Sequence, residues 1–246
     1  MSEQPLEKVL GQLADCELEM DEVEKEVERF RFTKSKPVYE KRRDLFVHIP
    51  SFWYIVLAEH EDFQEYIQTD DMKYLEFIKE IYVEYLLDDD PMKFSITFGF
   101  EAPNGEIETQ TVTKRFEKIH DVETGEEKLI SDAVDIKWPA ELDSINPHLI
   151  KAKGELAPAD KRKYRAGMKS FFAFFAWTGK KPGKEFRHGE DLALLIVEDL
   201  FPHATKYYTE AAPGLGDGAD DEEVVSSSEE LDLDDEPAAK RAKTTP

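Results

Sequence analysis

The N-terminal segment carries an apolar repeat that restricts the fold more than any other feature of the sequence. Apolar residues follow one another at alternating spacings of three and four, and charged residues fill most positions between them. The repeat consists of Leu6, Val9, Leu13, Cys16, Met20, Val23, Val27 and Phe30. A narrow stripe of this kind is typical of a helix that pairs with another helix. The spacing predicts a dimerisation seam, but it leaves open the seam's orientation and a helix that packs within its own monomer.

The helix is predicted to continue beyond the stripe. Pro37 lies within it, lacks a backbone N–H, and is expected to kink or break the helix there. If the helix resumes to about His48, its length is about 60 Å at about 1.5 Å per residue. We therefore interpret residues 1–49 as a long dimerisation helix that needs a partner along most of its length.

Residues 50–210 are predicted to form one mixed domain of helices and an antiparallel sheet. A short aromatic helix follows Pro50, and a second helical stretch is expected from about Phe63 to Ile81. Alternating or β-branched residues predict strands at 94–100, 107–116 and 133–138. The stretch 139–163 is interpreted as a long exposed connection, and apolar helices are expected at 168–177 and 191–200. The fold class is therefore α+β.

The charge balance limits the classes of partner. The chain has 55 acidic and 32 basic residues, a net charge of −23. Such a field repels nucleic acids and anionic membranes and attracts basic proteins, although it also fits a soluble protein with a merely negative surface. A single cysteine excludes an internal disulfide and a cysteine-rich zinc site. We expect no metal, no cofactor, no signal peptide and no membrane span.

The C-terminal segment, residues 211–246 (the acidic tail), differs sharply in composition. Between Asp217 and Glu236 there are eleven acidic residues and no basic or aromatic residue, so we expect disorder. Candidate contacts for a basic partner are Asp220, Asp221, Glu222, Glu223, Asp234 and Asp235. The alternative is a solubilising extension. Ser226 and Ser227 each precede a glutamate by three residues, which suits an acid-directed kinase.

A short basic cluster follows the acids. Lys240, Arg241 and Lys243 lie near the C-terminal end of the sequence. Clusters of this kind act as nuclear import signals, so the sequence predicts a nuclear protein.

Three ordered motifs resemble the nucleosome assembly protein (NAP/SET) family of histone chaperones. The first is KPVYEKRRDLFVHIPSFW at 36–53, with His60 following. The second is SFFAFFAW at 170–177, and the third is EDLFP at 198–202 with Tyr207 and Tyr208. The stretches 143–155 and 178–193 are most similar to a compact fungal branch of this family.

The resemblance implies the fold and the partners. It implies an antiparallel homodimer along the long helix, with two α/β earmuff domains over it. It also implies binding of histones H3–H4 and partnership with a histone acetyltransferase; the other core histone pair stays open as a partner. Binding of a specific nucleic acid sequence is not expected.

Two acidic pairs are candidate histone contacts in the domain. Glu198 and Asp199 lie near the end of a predicted helix, where negative charge is mildly unfavourable, so a basic ligand is a plausible reason for them. Glu190 and Asp191 lie at the start of that helix, where satisfying free backbone donors is the better interpretation.

Signatures of an enzyme are missing from the sequence. The run GKKPGK at 179–184 has only three residues between its glycines and is followed by Glu185 instead of Ser or Thr. The histidines show no metal-ligand spacing. The rival function is a coiled-coil structural or trafficking adaptor with a solubilising tail.

Overall fold

The computed structural model of the protein describes residues 6–86, 93–120, 125, 127–154 and 157–212. The predictions for the acidic tail fall outside the described residues. These are the candidate contacts Asp220, Asp221, Glu222, Glu223, Asp234 and Asp235, the phosphorylation sites Ser226 and Ser227, and the import signal Lys240, Arg241 and Lys243.

A single helix of 41 residues, α1 (Leu6–Phe46), forms the N-terminal rod. The predicted break at Pro37 is wrong, because the helix runs through this residue. Pro37 removes the donor to one carbonyl, but contacts on both sides hold the helix against the domain. Phe32 stacks on Tyr85 with ring centroids 3.5 Å apart, and Tyr39 meets Phe201 edge-on at 4.9 Å.

The domain contains a four-stranded antiparallel sheet with strand order β1-β2-β3-β4. The strands are β1 (Ile78–Tyr85), β2 (Lys93–Phe100), β3 (Gln110–His120) and β4 (Glu127–Ser131). The helices are α2 (Phe52–Glu59), α3 (Glu61–Glu65), α4 (Met72–Leu75), α5 (Pro147–Ala152), α6 (Pro158–Gly167), α7 (Gly189–Leu194) and α8 (Ala204–Ala211). Within the part of the chain that the structure describes, we find no helix apolar and long enough to cross a bilayer.

Two predictions of secondary structure are wrong, one of a helix and one of a strand. The sequence predicts the end of a helix at 78–81, because apolar residues at 78, 81, 82 and 85 fit the helical period. These residues instead begin β1, and apolar residues at 81, 83 and 85 also fit the two-residue period of a strand. Pairing with β2, for example Val83 with Ile96, decides for the strand. The strand expected near 133–138 is absent. That described stretch joins no ladder, and its Val134 N–H instead donates to the Phe175 carbonyl at 2.9 Å.

The stretch 139–163 is exposed at most of its described residues, as predicted, but it is not an irregular connection. It forms a short 3₁₀ turn, Ala140–Leu142, then α5 and the start of α6, with prolines at the first turn of both helices. Leu142 and Ile150 are buried, so the segment contributes to the packing. The proline and charged residues suggested a loop, but proline is also common in the first turn of a helix.

The aromatic motif lies at the centre of the core as a 3₁₀ helix, Phe171–Ala176, and its five residues from Phe171 to Phe175 are buried. Each end is capped by a buried charged side chain. Asp71 accepts hydrogen bonds from Ser170 Oγ (2.7 Å) and Phe171 N (2.9 Å) at the N-terminal end. Lys114 donates to the carbonyls of Phe175 (3.1 Å) and Trp177 (2.6 Å) at the other. An acidic side chain at the N-terminal end and a basic one at the C-terminal end match the helix dipole.

Burial shifts both capping groups towards neutrality. It raises the pKa of the Asp71 carboxyl, against the effect of the hydrogen bonds that it accepts. It lowers the pKa of the Lys114 ammonium from 10.5 to about 7, against the attraction of Glu185 and Asp132. The sequence motif therefore has a structural role, and its polar partners come from distant elements.

Candidate functional site

The apolar stripe of α1 is exposed along its whole length in the single chain. The exposed fraction is 73% for Leu6, 53% for Val23 and 65% for Phe30. Val9, Leu13, Cys16, Met20 and Val27 are exposed as well. In α1, only Phe32 and Phe46 are buried, and both lie beyond the stripe. The stripe therefore does not pack against the chain's own domain.

The second half of α1 is attached to the domain through the basic residues of the first motif. The Arg42 guanidinium donates to the carbonyls of Phe201 and Pro202, and it lies over the ring of Tyr39 at 4.7 Å. Arg43 forms an ion pair with Glu80 of β1. Burial lowers the pKa of Arg42, whose guanidinium stays charged at neutral pH. Sequence reasoning missed this role, although the basic run in the motif was the signal.

Asp199, one of the predicted contacts, forms hydrogen bonds within the domain although its side chain is 40% exposed. Its carboxylate accepts from His60 Nε2 at 3.2 Å, from Tyr207 OH at 2.9 Å and from His203 Nδ1 at 2.9 Å. Burial raises the pKa of this carboxyl, but the three hydrogen bonds outweigh it and leave the pKa below its usual value. Asp199 therefore contacts the junction of α2 and α3, the segment before α8, and α8 itself.

Glu198 has a different environment from its neighbour. Its side chain is 62% exposed, and Lys118 Nζ lies 4.0 Å from its carboxylate. It borders a cleft of about 430 Å³ between α1 and the domain, where Glu28 contributes a second carboxylate and Arg31, Lys93 and Lys118 contribute cations. Glu198 lies in a π-helical turn, Leu195–Leu200, that continues α7. Of the predicted pair, Glu198 is the more exposed residue and has fewer contacts within the domain.

The other acidic pair lies at the start of α7, as the sequence predicted. Glu190 accepts a hydrogen bond from the backbone N–H of Leu129 at 3.0 Å and so links α7 to β4. Asp191 lies 3.4 Å from His188 Nδ1 and is exposed. Glu190 is therefore a structural contact, and Asp191 is open to solvent.

The loop that superficially resembles a phosphate-binding loop is filled by its own glutamate. Glu185 accepts from the N–H groups of Thr178 (3.2 Å) and Gly179 (2.9 Å), so a carboxylate occupies the place of an anionic ligand. Across the described ranges, the structure brings together no cluster of His, Cys, Asp and Glu that could hold a metal ion.

Comparisons with known proteins agree on one family. The family model described as nucleosome assembly protein (NAP) matches residues 9–211. Vacuolar protein sorting-associated protein 75 of Saccharomyces cerevisiae is 44% identical, over 94% of this chain and 93% of that protein. NAP1-related protein 1 of Oryza sativa subsp. indica is 30% identical, over 82% of this chain and 70% of that protein.

Comparison with solved structures indicates the same family. A crystal structure of Vps75 superposes with a TM-score of 0.76 at 48% identity and covers 83% of this chain and 98% of that chain. The predicted α+β fold, with a long N-terminal helix and an antiparallel sheet, is confirmed, and so is the resemblance to the fungal branch. The chain belongs to the nucleosome assembly protein (NAP) family of histone chaperones.

Proposed function

We propose that the protein is a dimeric nuclear histone chaperone that binds histones H3–H4 and shields their charge from premature contact with DNA. Its role is binding, not catalysis. The observation that carries the proposal is the exposed Glu198 carboxylate beside α1, in a family member with a net charge of −23. A field of this sign steers basic proteins to the surface.

The exposed stripe supports the dimer. Full burial of an apolar side chain stabilises by about 1.5–3 kcal/mol, so residues that are roughly half exposed contribute on the order of 1 kcal/mol each. Eight such residues on each of two helices give about 16 kcal/mol, against an association cost of about 4–15 kcal/mol. The sum favours pairing through Leu6 to Phe30. The antiparallel arrangement follows from the resemblance and is part of the proposal.

The histone surface would combine the exposed Glu198 carboxylate with Asp191 and the acidic tail. Individual exposed ion pairs contribute only about 0–1 kcal/mol, so affinity requires many of them acting together. Glu190 and Asp199 would act indirectly, because their carboxylates accept hydrogen bonds within the domain. DNA, a denser polyanion, would release the histones by competing for the same basic faces.

Similarity to Vps75 motivates a second part of the proposal, the presentation of histones to a histone acetyltransferase. The rival function, a structural or trafficking adaptor, would also use an exposed α1 stripe and a negative charge. It provides no reason for membership in a histone chaperone family.

The proposal is tested by capture of purified H3–H4 on the immobilised full chain over a salt series. We expect stoichiometric capture that weakens with salt, because counterions screen the contacts. Glu198→Gln should weaken capture by about threefold, within the range for one exposed charge contact. Glu108→Gln, a change at an exposed residue in the turn before β3, is the matched control. Absence of capture at physiological ionic strength would favour the adaptor.

A further inference from the structure

A second cleft lies beside the loop that joins the aromatic 3₁₀ helix to α7. It has a volume of about 490 Å³, and its lining includes the aromatic side chains of Trp177 and Phe186. Both aromatic residues are buried in the domain and together form an apolar floor. Lys128, Lys181 and Arg187 contribute cations to the lining. This is a positive surface on a strongly negative chain.

The two carboxylates in this cleft offset only part of the charge of its three cations. Glu185 is bound to the N–H groups of Thr178 and Gly179, and Glu190 to the N–H of Leu129. The exposed cations of the loop are Lys180, Lys181, Lys184 and Arg187. Among residues that the structure describes, none of these four side chains forms an ion pair. The cleft therefore offers an apolar floor and a net positive charge to a ligand.

We propose that this cleft binds residues 229–236 of the chain's own acidic tail. The sequence there is EELDLDDE, in which acidic residues flank Leu231 and Leu233. In an extended peptide, side chains two residues apart lie on one side, so both leucines would meet the aromatic floor. The flanking carboxylates would meet the lysines and the arginine of the loop. A histone segment, being cationic, does not fit this cleft.

The tail can reach the cleft from its attachment point. Sixteen residues lie between Ala212 and Glu229, so the two are up to about 55 Å apart when the chain is extended at about 3.3 Å per residue. A domain of about 200 residues has a radius of gyration of about 16 Å, so this length is greater than the diameter of the domain, about 40 Å. Tethering gives an effective concentration on the order of millimolar, which makes several weak contacts sufficient.

A tail bound in the cleft would not be free to bind histones until a basic ligand competed with the cleft for it. This consequence rests on the proposed function, whereas the docking itself does not. Release of the tail by substitution in the cleft would then increase H3–H4 affinity about threefold. The docking is measured without histones, so failure of docking and failure of histone binding are distinguishable.

The test uses the full chain with a nitroxide spin label at Ser228→Cys in a Cys16→Ser background. Electron paramagnetic resonance should show an immobilised component. Lys181→Glu with Lys184→Glu should decrease the ratio of immobilised to mobile label about tenfold, because two attractive contacts become repulsive. Leu231→Ser with Leu233→Ser should decrease it similarly without a change of charge.

The matched control is Lys161→Glu with Lys163→Glu, which reverses two exposed cations on α6 instead. This pair should leave the immobilised component unchanged. A uniformly mobile label in the parent would overturn the proposal, as would equal loss in the α6 pair, since that indicates general attraction. An immobilised fraction that falls on dilution would assign the contact to a second molecule and would also overturn it.

Discussion

Replacement of the buried Lys114 by methionine tests how the aromatic core is capped. The Lys114 ammonium is fully buried and donates to the carbonyls of Asp132, Phe175 and Trp177 at 2.7, 3.1 and 2.6 Å. Lys114→Met removes both the buried charge and these hydrogen bonds. The pH dependence separates the two effects, because only the charge titrates.

The magnitude follows from the shift of the pKa. Burial lowers the pKa of Lys114 from 10.5 in the unfolded chain to about 7 in the folded protein. Between these values the unfolded chain binds more protons, so the free energy of unfolding must rise with pH. The free energy of unfolding rises by up to about 1.4 kcal/mol per pH unit, and the slope is smaller near pH 7, where folded Lys114 is still partly protonated. The total gain from pH 7 to 9 is therefore about 2 kcal/mol. The cost of the buried charge is fully present below pH 7 and vanishes above 10.5.

Urea unfolding at several pH values and one protein concentration measures this gain. The difference in unfolding free energy between the parent and Lys114→Met should increase by about 2 kcal/mol from pH 7 to 9. Lys79→Met, a change at an exposed lysine of β1, should show no such trend. A flat difference for Lys114→Met would refute the reasoning, because it would mean that the three carbonyls fully compensate the buried ammonium.

Three further substitutions test other contacts, each by urea unfolding. Asp71→Ala should destabilise the protein by about 3 kcal/mol, since two buried donors at the start of the 3₁₀ helix lose their acceptor; a loss below about 1 kcal/mol would contradict the capping role. Arg42→Lys should cost about 2 kcal/mol, because lysine lacks the planar fork, whereas Arg43→Lys at an exposed ion pair should cost under about 1 kcal/mol; equal losses would contradict this. Gly179→Ala should cost more than Gly183→Ala by about 2 kcal/mol. Both glycines have positive φ, but only at Gly179 would a Cβ lie 2.5 Å from a backbone oxygen.

The long helix and its stripe could be predicted from sequence because a heptad repeat is a local signal. The aromatic motif at Ser170 to Trp177 also indicated a buried segment correctly. The sequence did not show that the segment is a 3₁₀ helix, since its caps, Asp71 and Lys114, are about 100 and 60 residues away in the chain. Contacts between residues so far apart in the chain produce no periodic pattern in the sequence.

The sequence named Glu198 and Asp199 together as candidate contacts, and their binding to histones stays a prediction. What separates the two residues is the set of contacts that only the fold creates, His60, Tyr207 and His203 around Asp199. The strand at 78–85 was missed for a related reason: its apolar spacing fits both periods, and pairing with β2 decides between them.

The mass of the full chain in solution tests the central claim most directly, because the proposed histone surface depends on two copies joined along α1. Light scattering at low micromolar concentration should give twice the chain mass of 28.4 kDa. Val23→Glu with Val27→Glu, which buries charges in the seam, should return the mass to 28.4 kDa. A parent chain that is already a single copy at this concentration would contradict the account.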